Sequence, residues 1–120
     1  FPRAFDLVPD RREALETGID LGFERGLSSG GMPSAVSGAA VLSRLVAQAA
    51  HRIVVMPGAG IGPDNIAALR ETTRAREFHA SAKRRLPSAM RRVPADTLGM
   101  GGGETRTDLD TVRALVKALA

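Results

Sequence analysis

The chain has 120 residues, a formal net charge of +4 and no cysteine, tryptophan or tyrosine. This length allows a single domain with its own core, and the lack of cysteine excludes disulfides, cysteine nucleophiles and thiolate metal ligands from this chain. With so few aromatic side chains to stack on bases, no apolar stretch of about 18 residues and no signal-peptide pattern, we expect a soluble intracellular protein that binds neither nucleic acid nor membrane.

The first half of the chain predicts two strand–helix units. Residues 1–6, FPRAFD, alternate in the manner of a short strand. Residues 9–21 predict a helix that ends at Gly22, because their apolar residues recur on one side. Residues 23–29 predict a second strand with a polar exit loop, and residues 39–50 predict a second helix with an apolar stripe at three- and four-residue spacing.

Residues 53–65, IVVMPGAGIGPDN, are the motif around which the rest is arranged. Residues 53–56 are uniformly apolar, as in a strand buried on both faces. Glycines at every second position follow, and Pro63 then sits at a first helical position. A glycine turn before a helix lets backbone N–H groups approach an anion, so phosphate or carboxylate binding is one interpretation. The other is a tight strand–helix connection.

The second half predicts a helix that fades near residue 73, then a fourth strand, a loop and a last helix. The strand, residues 75–82, places Phe78 and Ala80 on one face and three polar residues on the other. Residues 83–103 lack periodicity and predict a mobile basic loop, either a solvated connector or a phosphate clamp. The last helix covers residues 108–120, with Thr107 and Asp110 as a capping pair.

Strands that alternate with helices predict an α/β fold with a parallel sheet. Four such units are half of an eight-unit barrel, which normally needs about 250 residues. Four strands with two open edges invite association, so we expect either a homo-oligomer or pairing with another half-barrel.

Five segments, in this order and spacing, resemble the C-terminal half of the CutC family of copper homeostasis proteins: FPRAFD, ERGLSSGG, IVVMPGAGI, REFHASA and ETRTDLDTVRALV. The likeness spans nearly the whole chain, with the basic loop its least similar part. It implies a cytoplasmic TIM-type barrel in which residues 1–6 are the fifth strand and residues 77–81 the eighth. Residues 1–120 would then be one partial barrel domain, without a second domain and without the first four strands.

The resemblance also indicates where a site would lie. The first family motif usually reads FHRAFD, and Pro2 replaces its histidine here, which removes one candidate ligand or acid–base group. The matching positions at strand ends would converge on the carboxyl-terminal face of a barrel. They are Arg3, Asp6, Ser29, Gly58, Gly60, His79 and Ser81.

Two functions follow from these residues. The family name implies a link to copper, with copper as the cofactor, and Met56 and His79 are the donors that would share a metal site. The alternative is a barrel enzyme acting on a small anionic substrate. There Asp6 or His79 would move a proton, and Ser81 would orient His79. Its substrate would be bound by Arg3, Ser29, Gly58, Gly60 and Ser81.

Each candidate also has a structural interpretation. Arg3 and Asp6 would form a salt bridge in the barrel mouth, and His79 would be a satisfied core histidine. Met56 at the end of a buried strand would belong to the hydrophobic core.

Overall fold

The computed structural model describes residues 2–86 and 104–120. Within these residues the structure contains a 3₁₀-helix, Arg3–Leu7, four α-helices and four strands. In chain order these are α1 (Arg11–Asp20), β1 (Arg25–Ser28), α2 (Ala39–Ala49), β2 (Val54–Pro57), α3 (Ile66–Thr73), β3 (Lys83–Leu86), β4 (Glu104–Thr107) and α4 (Leu109–Leu119). No helix in these two described ranges is long and apolar enough to cross a bilayer.

The centre of the fold is a strand–helix–strand unit. β1 and β2 are parallel, with Arg25 opposite Val54 and Ser28 opposite Pro57, and α2 connects them. This arrangement confirms the predicted α/β class with parallel strands. The buried core combines Leu42 and Leu45 of α2 with Val55 of β2.

α1 is capped at its start and joined to this unit by an ion pair. Its N-cap, Asp10, accepts hydrogen bonds from the backbone N–H groups of Arg12 and Glu13. These N–H groups have no acceptor within the helix, because they belong to its first turn. Near its other end, Glu16 accepts from Arg52 at 2.8 Å, which joins α1 to the chain just after α2. The predicted helix over residues 9–21 is therefore confirmed.

The predicted strand over residues 1–6 is wrong, because Arg3–Leu7 form a 3₁₀-helix, while residue 1 lies outside the described part. The tight backbone turn, in which the N–H of Phe5 donates to the carbonyl of Pro2, brings the Asp6 side chain inward. The sequence alternation is real, but no described strand pairs with this segment, so nothing selects the extended form.

The predicted strand over residues 75–82 is also wrong. This segment runs beside β2 without a ladder, and one backbone hydrogen bond, from the His79 N–H to the Pro57 carbonyl at 2.9 Å, joins the two within the described residues. Ala82 takes a φ of 47°, which ends any extended run. With a single backbone hydrogen bond to β2 among the described residues, the segment does not form a third strand of that sheet.

The predicted loop over residues 83–103 is wrong at its start, and residues 87–103 lie outside the described part of the chain. Lys83–Leu86 form β3, which pairs antiparallel with β4. At the start of α4 the predicted capping pair, Thr107 and Asp110, is also replaced. Asp108 caps this helix, because its carboxylate accepts from the N–H of Thr111 at 2.9 Å.

The loop after β1 returns so closely that it excludes side chains. A Cβ on Gly38 would lie 1.8 Å from the carbonyl oxygen of Ser29, and one on Gly30 would lie 2.5 Å from the oxygen of Gly38. These are backbone atoms, which cannot move aside as a flexible side chain can. The two glycines are therefore required by close approach of the backbone.

We expect Gly38→Ala to lower the free energy of unfolding by about 2 kcal/mol or more, because an added methyl group would force the backbone apart. Gly22→Ala is the control, since Gly22 has a φ of 82° but open space around it. That variant reports left-handed strain alone, about 1 kcal/mol. Urea denaturation of both variants measures the difference, and equal losses would contradict the close approach.

Candidate functional site

The candidate site lies where β1 and β2 end side by side. Ser28 is the last residue of β1 and Pro57 the last of β2. The N–H of Gly58 donates to the carbonyl of Ser28 at 2.9 Å, so the two exit loops begin joined. The carboxyl ends of parallel strands are where ligands bind in α/β folds.

The Asp6 carboxylate is the centre of this region. It is 8% exposed, and five polar groups surround its two oxygens. Oδ1 accepts from the Ser28 hydroxyl at 2.6 Å and from the N–H of Gly31 at 3.1 Å. Oδ2 accepts from the N–H of Ser29 at 2.8 Å, with the Ser29 hydroxyl at 3.0 Å and Arg3 Nε at 3.4 Å. Asp6 thus fastens the 3₁₀-helix to the loop after β1.

These contacts determine the charge state of Asp6. Burial by itself raises the pKa of this carboxyl, but hydrogen bonds from Ser28, Ser29 and Gly31 together outweigh it and leave the pKa below its ordinary value of 3.8. Asp6 is therefore an anion at neutral pH with its acceptor sites engaged. A general base works best with a pKa near the working pH, so this environment suits an anchor better than a proton carrier. Its catalytic role stays a prediction.

Arg3 forms the expected salt bridge with Asp6, and its Nη2 donates to the Ser29 hydroxyl at 3.0 Å. The Arg3 side chain is 47% exposed, so it lies at the outer edge of the cluster. Ser29 is fully buried, and its hydroxyl also lies 2.6 Å from the carbonyl of Met32. A substrate would meet Arg3 before it met Ser29.

Two residues of the cluster were missed by sequence reasoning. Ser28 supplies the shortest hydrogen bond to Asp6, and Arg11 Nη2 donates to the Asp6 carbonyl at 2.7 Å. The Arg11 guanidinium lies over Gly31, where a Cβ would stand 2.0 Å from Nη2. A serine at the end of a predicted strand was a usable signal for Ser28. No sequence signal indicated Arg11, because its contact with the Asp6 carbonyl depends on the angle between α1 and the 3₁₀-helix.

The glycine turn after β2 is closed mainly by Asn65. Its Oδ1 accepts from the N–H of Gly62 and its Nδ2 donates to the carbonyl of Gly60, both at 2.9 Å. Because residues 63–65 belong to this turn, α3 begins at Ile66 and Pro63 is not its first helical residue as predicted. These contacts support the tight-connection interpretation.

Each glycine of the turn named as a substrate-binding candidate has a local structural reason. A Cβ on Gly58 would lie 2.5 Å from Leu27 Cδ1, and Gly60 has a φ of 69°. Within the part of the chain that the structure describes, no group accepts from the N–H groups of residues 59–61. Anion binding at Gly58 and Gly60 stays a prediction.

The residues predicted on the eighth strand are placed differently from expectation. His79 is exposed, so the core-histidine interpretation is wrong, and Ser81 is exposed as well. No side-chain hydrogen bond joins Ser81 to His79 among the described residues, so the predicted orienting contact is absent there. Met56 is half-buried on β2. The backbone N–H of His79 donates to the carbonyl of Pro57, so His79 lies beside the end of the same strand.

Comparison with known proteins agrees with this arrangement. The family model described as the CutC family matches residues 1–84, which include the whole candidate site. The chain belongs to the CutC family. A CutC protein of Xylella fastidiosa (strain 9a5c) is 50% identical over 121 residues, which cover 100% of this chain and 45% of that protein. One of Xanthomonas campestris pv. campestris (strain 8004) is 43% identical over 119 residues, covering 99% of this chain and 50% of the relative.

A solved structure is also similar. It is the crystal structure of CutC from Streptococcus agalactiae, a proposed copper homeostasis protein, with a TM-score of 0.63 and 28% identity. The match covers 66% of this chain and 40% of that one. The chain thus spans about half the length of the curated CutC relatives it matches.

Copper is the metal that the family name suggests. Within residues 2–86 and 104–120, no group of three or more His, Asp or Glu side chains is placed to hold a metal ion. Met56 and His79 offer a thioether and an imidazole, which suit copper(I). Two donors do not close a metal site, so the described residues do not form a copper centre by themselves.

Proposed function

We propose that this chain acts in copper homeostasis as one half of a CutC-type barrel. The observation that carries the proposal is the match of the CutC family model to residues 1–84. The description of the Streptococcus agalactiae protein supports the copper link. The family resemblance supports a cytoplasmic location.

In this proposal residues 1–120 form one partial barrel domain that supplies strands five to eight. β1 and β2 would be strands six and seven, and residues 75–82 would become strand eight once a further strand lies beside them. β1 and β2 pair in parallel and are connected by α2, which supports this assignment. The similarity to the CutC structure, 40% of whose chain is matched, supports it as well.

We propose further that Met56 and His79 are the contribution of this chain to a copper(I) site that the whole protein completes. A thioether and an imidazole are donors that copper(I) accepts. Met56 lies near the carboxyl end of β2, and His79 lies in the segment that is hydrogen-bonded to that end. The remaining ligands would come from residues outside the described part of the chain or from the other half.

The test is a copper(I) titration against a competing chelator, on this chain alone and with the complementary half of the Xylella fastidiosa relative. We expect binding in the mixture to weaken at least tenfold in Met56→Leu and in His79→Asn, because each removes one donor. His51→Asn and Met32→Leu are matched controls. Undiminished binding by the Met56→Leu/His79→Asn double variant would exclude these donors, and no copper binding by any mixture would exclude a direct copper role.

The enzyme alternative is not favoured. The descriptions of the CutC relatives name no reaction, and the carboxylate predicted to move a proton has its pKa lowered by hydrogen bonds. Arg3, Ser29, Gly58, Gly60 and Ser81 remain candidate wall residues of whatever site the complete barrel forms.

A further inference from the structure

A cavity of about 620 Å³ lies at the opposite end of β2 from the Asp6 cluster and the glycine turn. It opens to solvent between the second half of α2, the beginning of β2 and the residues that follow α3. The lining residues include Val46, Ile53, Val55, His51, Arg74 and Arg76. Its volume falls in the range of about 300–1,000 Å³ that is usual for small-molecule sites.

The cavity has an apolar interior and a cationic rim. Valine, isoleucine and alanine make up most of its wall, whereas His51, Arg74 and Arg76 are exposed at its edge. None of the described residues that line it carries a carboxylate. Within the same part of the chain, no group accepts a hydrogen bond from the side chains of His51, Arg74 or Arg76 or forms an ion pair with them.

Some carbonyls at the helix ends that meet here have donors other than the side chains of the rim. The Ala49 carbonyl at the end of α2 accepts from Arg52 Nε at 3.2 Å. At the end of α3, the Leu69 carbonyl accepts from the Thr73 hydroxyl at 2.7 Å, and the Arg70 carbonyl from the N–H of Arg74 at 2.9 Å. These three carbonyls therefore do not engage the imidazole of His51 or the guanidinium groups of Arg74 and Arg76.

The nearest acidic residue along the chain from Arg76 is also occupied. Glu77 accepts from Arg25 Nε at 2.7 Å and from Arg25 Nη2 at 3.2 Å, which turns its charge toward the start of β1. The described residues of the cavity wall therefore supply no carboxylate to neutralise the two rim arginines. A ligand that fits would carry one negative charge at the rim and an apolar body inside.

We propose that this cavity binds a straight-chain carboxylate of medium length, with the carboxylate between Arg74 and Arg76 and the hydrocarbon against Val46, Ile53 and Val55. Arginine presents parallel N–H groups that match a carboxylate, which makes two exposed arginines a suitable pair. Burial of the hydrocarbon supplies the affinity, and the arginines supply the preference for an anion.

The experiment is a calorimetric and NMR titration of the chain with octanoate. We expect saturable binding, with backbone shift changes confined to the ends of α2 and α3 and the start of β2. The Arg74→Gln/Arg76→Gln double variant should bind at least tenfold more weakly. Arg12→Gln/Arg113→Gln is the matched control, because it removes two exposed charges elsewhere and should bind as the unmodified chain does.

Two further measurements address the apolar part and the charge. Val46→Phe fills the cavity and should also weaken binding at least tenfold, with circular dichroism to show that the fold is kept. Octanol should bind the unmodified chain about as weakly as octanoate binds the double arginine variant. Absence of octanoate binding, equal binding of octanol and octanoate, or full affinity in the double arginine variant would each overturn the proposal.

Discussion

Asp6→Ala is expected to lower the free energy of unfolding by about 3 kcal/mol or more, because each buried polar group left without its partner costs about 1–3 kcal/mol. The substitution removes the only acceptor found for the Ser29 N–H and the Gly31 N–H within the described residues. It also leaves the Ser28 hydroxyl without its acceptor, while Arg3, Arg11 and the buried Phe5 still attach the 3₁₀-helix. Urea denaturation followed by circular dichroism measures the loss.

Asp6→Asn tests whether the fold is stabilised by the hydrogen bonds that the Asp6 carboxylate accepts, and not only by the size of its side chain. The amide keeps the size of the side chain but replaces one oxygen with a donor that would face the Ser28 hydroxyl and Gly31 N–H, or the Ser29 N–H. It should therefore destabilise nearly as much as alanine. Asp64→Asn is the control, since it changes the same charge at an exposed position. A loss for Asp6→Asn no larger than for Asp64→Asn would contradict an anchoring role.

The same variants report on pH. The folded-state pKa of Asp6 is lowered from 3.8 by hydrogen bonds that exceed the opposing effect of burial. A depressed pKa stabilises the fold above the unfolded-state pKa, and this stabilisation is lost as the pH falls through the folded-state value. The advantage of the unmodified chain over Asp6→Asn should thus be constant above about pH 5 and shrink below about pH 4. Exposed acids common to both proteins cancel in the comparison.

The other large effect is expected on assembly of the barrel. α4 carries three exposed apolar residues on one side, Leu109, Val112 and Val116, which are 60%, 36% and 65% exposed. Its Leu115 is buried in the core. We propose that the half of the relative's length that this chain does not span covers the exposed side, because full burial of each such side chain is worth about 1.5–3 kcal/mol.

Purified chain mixed with the complementary half of the Xylella fastidiosa relative should form a one-to-one complex in light scattering. Val116→Glu should weaken it at least a hundredfold, because a carboxylate would be buried without a partner. Lys117→Glu is the control, since it places the same carboxylate on the polar side of α4. Unaltered association by Val116→Glu would contradict this surface. A dimer of the chain alone that Val116→Glu dissociates would identify a second copy as the occupant instead.

The parts of the fold that sequence predicted correctly are those stabilised within the chain. α1 has its N-cap at Asp10, α2 has an apolar stripe, and β2 is an uninterrupted apolar run, so local pattern and tertiary packing agree. The two strands predicted wrongly, residues 1–6 and 75–82, depend on partners across the sheet. The alternation of polar and apolar residues permits a strand, but whether the strand forms depends on a neighbouring strand with which it can pair.

The candidate site shows the same division. Arg3, Asp6 and Ser29, which the family resemblance indicates as site positions, do meet. Ser28 and Arg11 were missed, since nothing in a linear pattern indicates which of two serines points inward. Of the two interpretations of His79, as a site residue or a core histidine, the second is wrong because His79 is exposed.

Within the described residues, one backbone hydrogen bond, between His79 and Pro57, joins residues 75–82 to β2. Such a bond contributes about 1 kcal/mol. Side chains also hold the segment, because Glu77 accepts two hydrogen bonds from Arg25 and Ala82 is buried in the core. We expect its amide hydrogens to exchange with solvent faster than those of β1 and β2, because the segment lies outside the ladder. The position of His79 therefore depends more on the side-chain contacts of its neighbours than on the sheet.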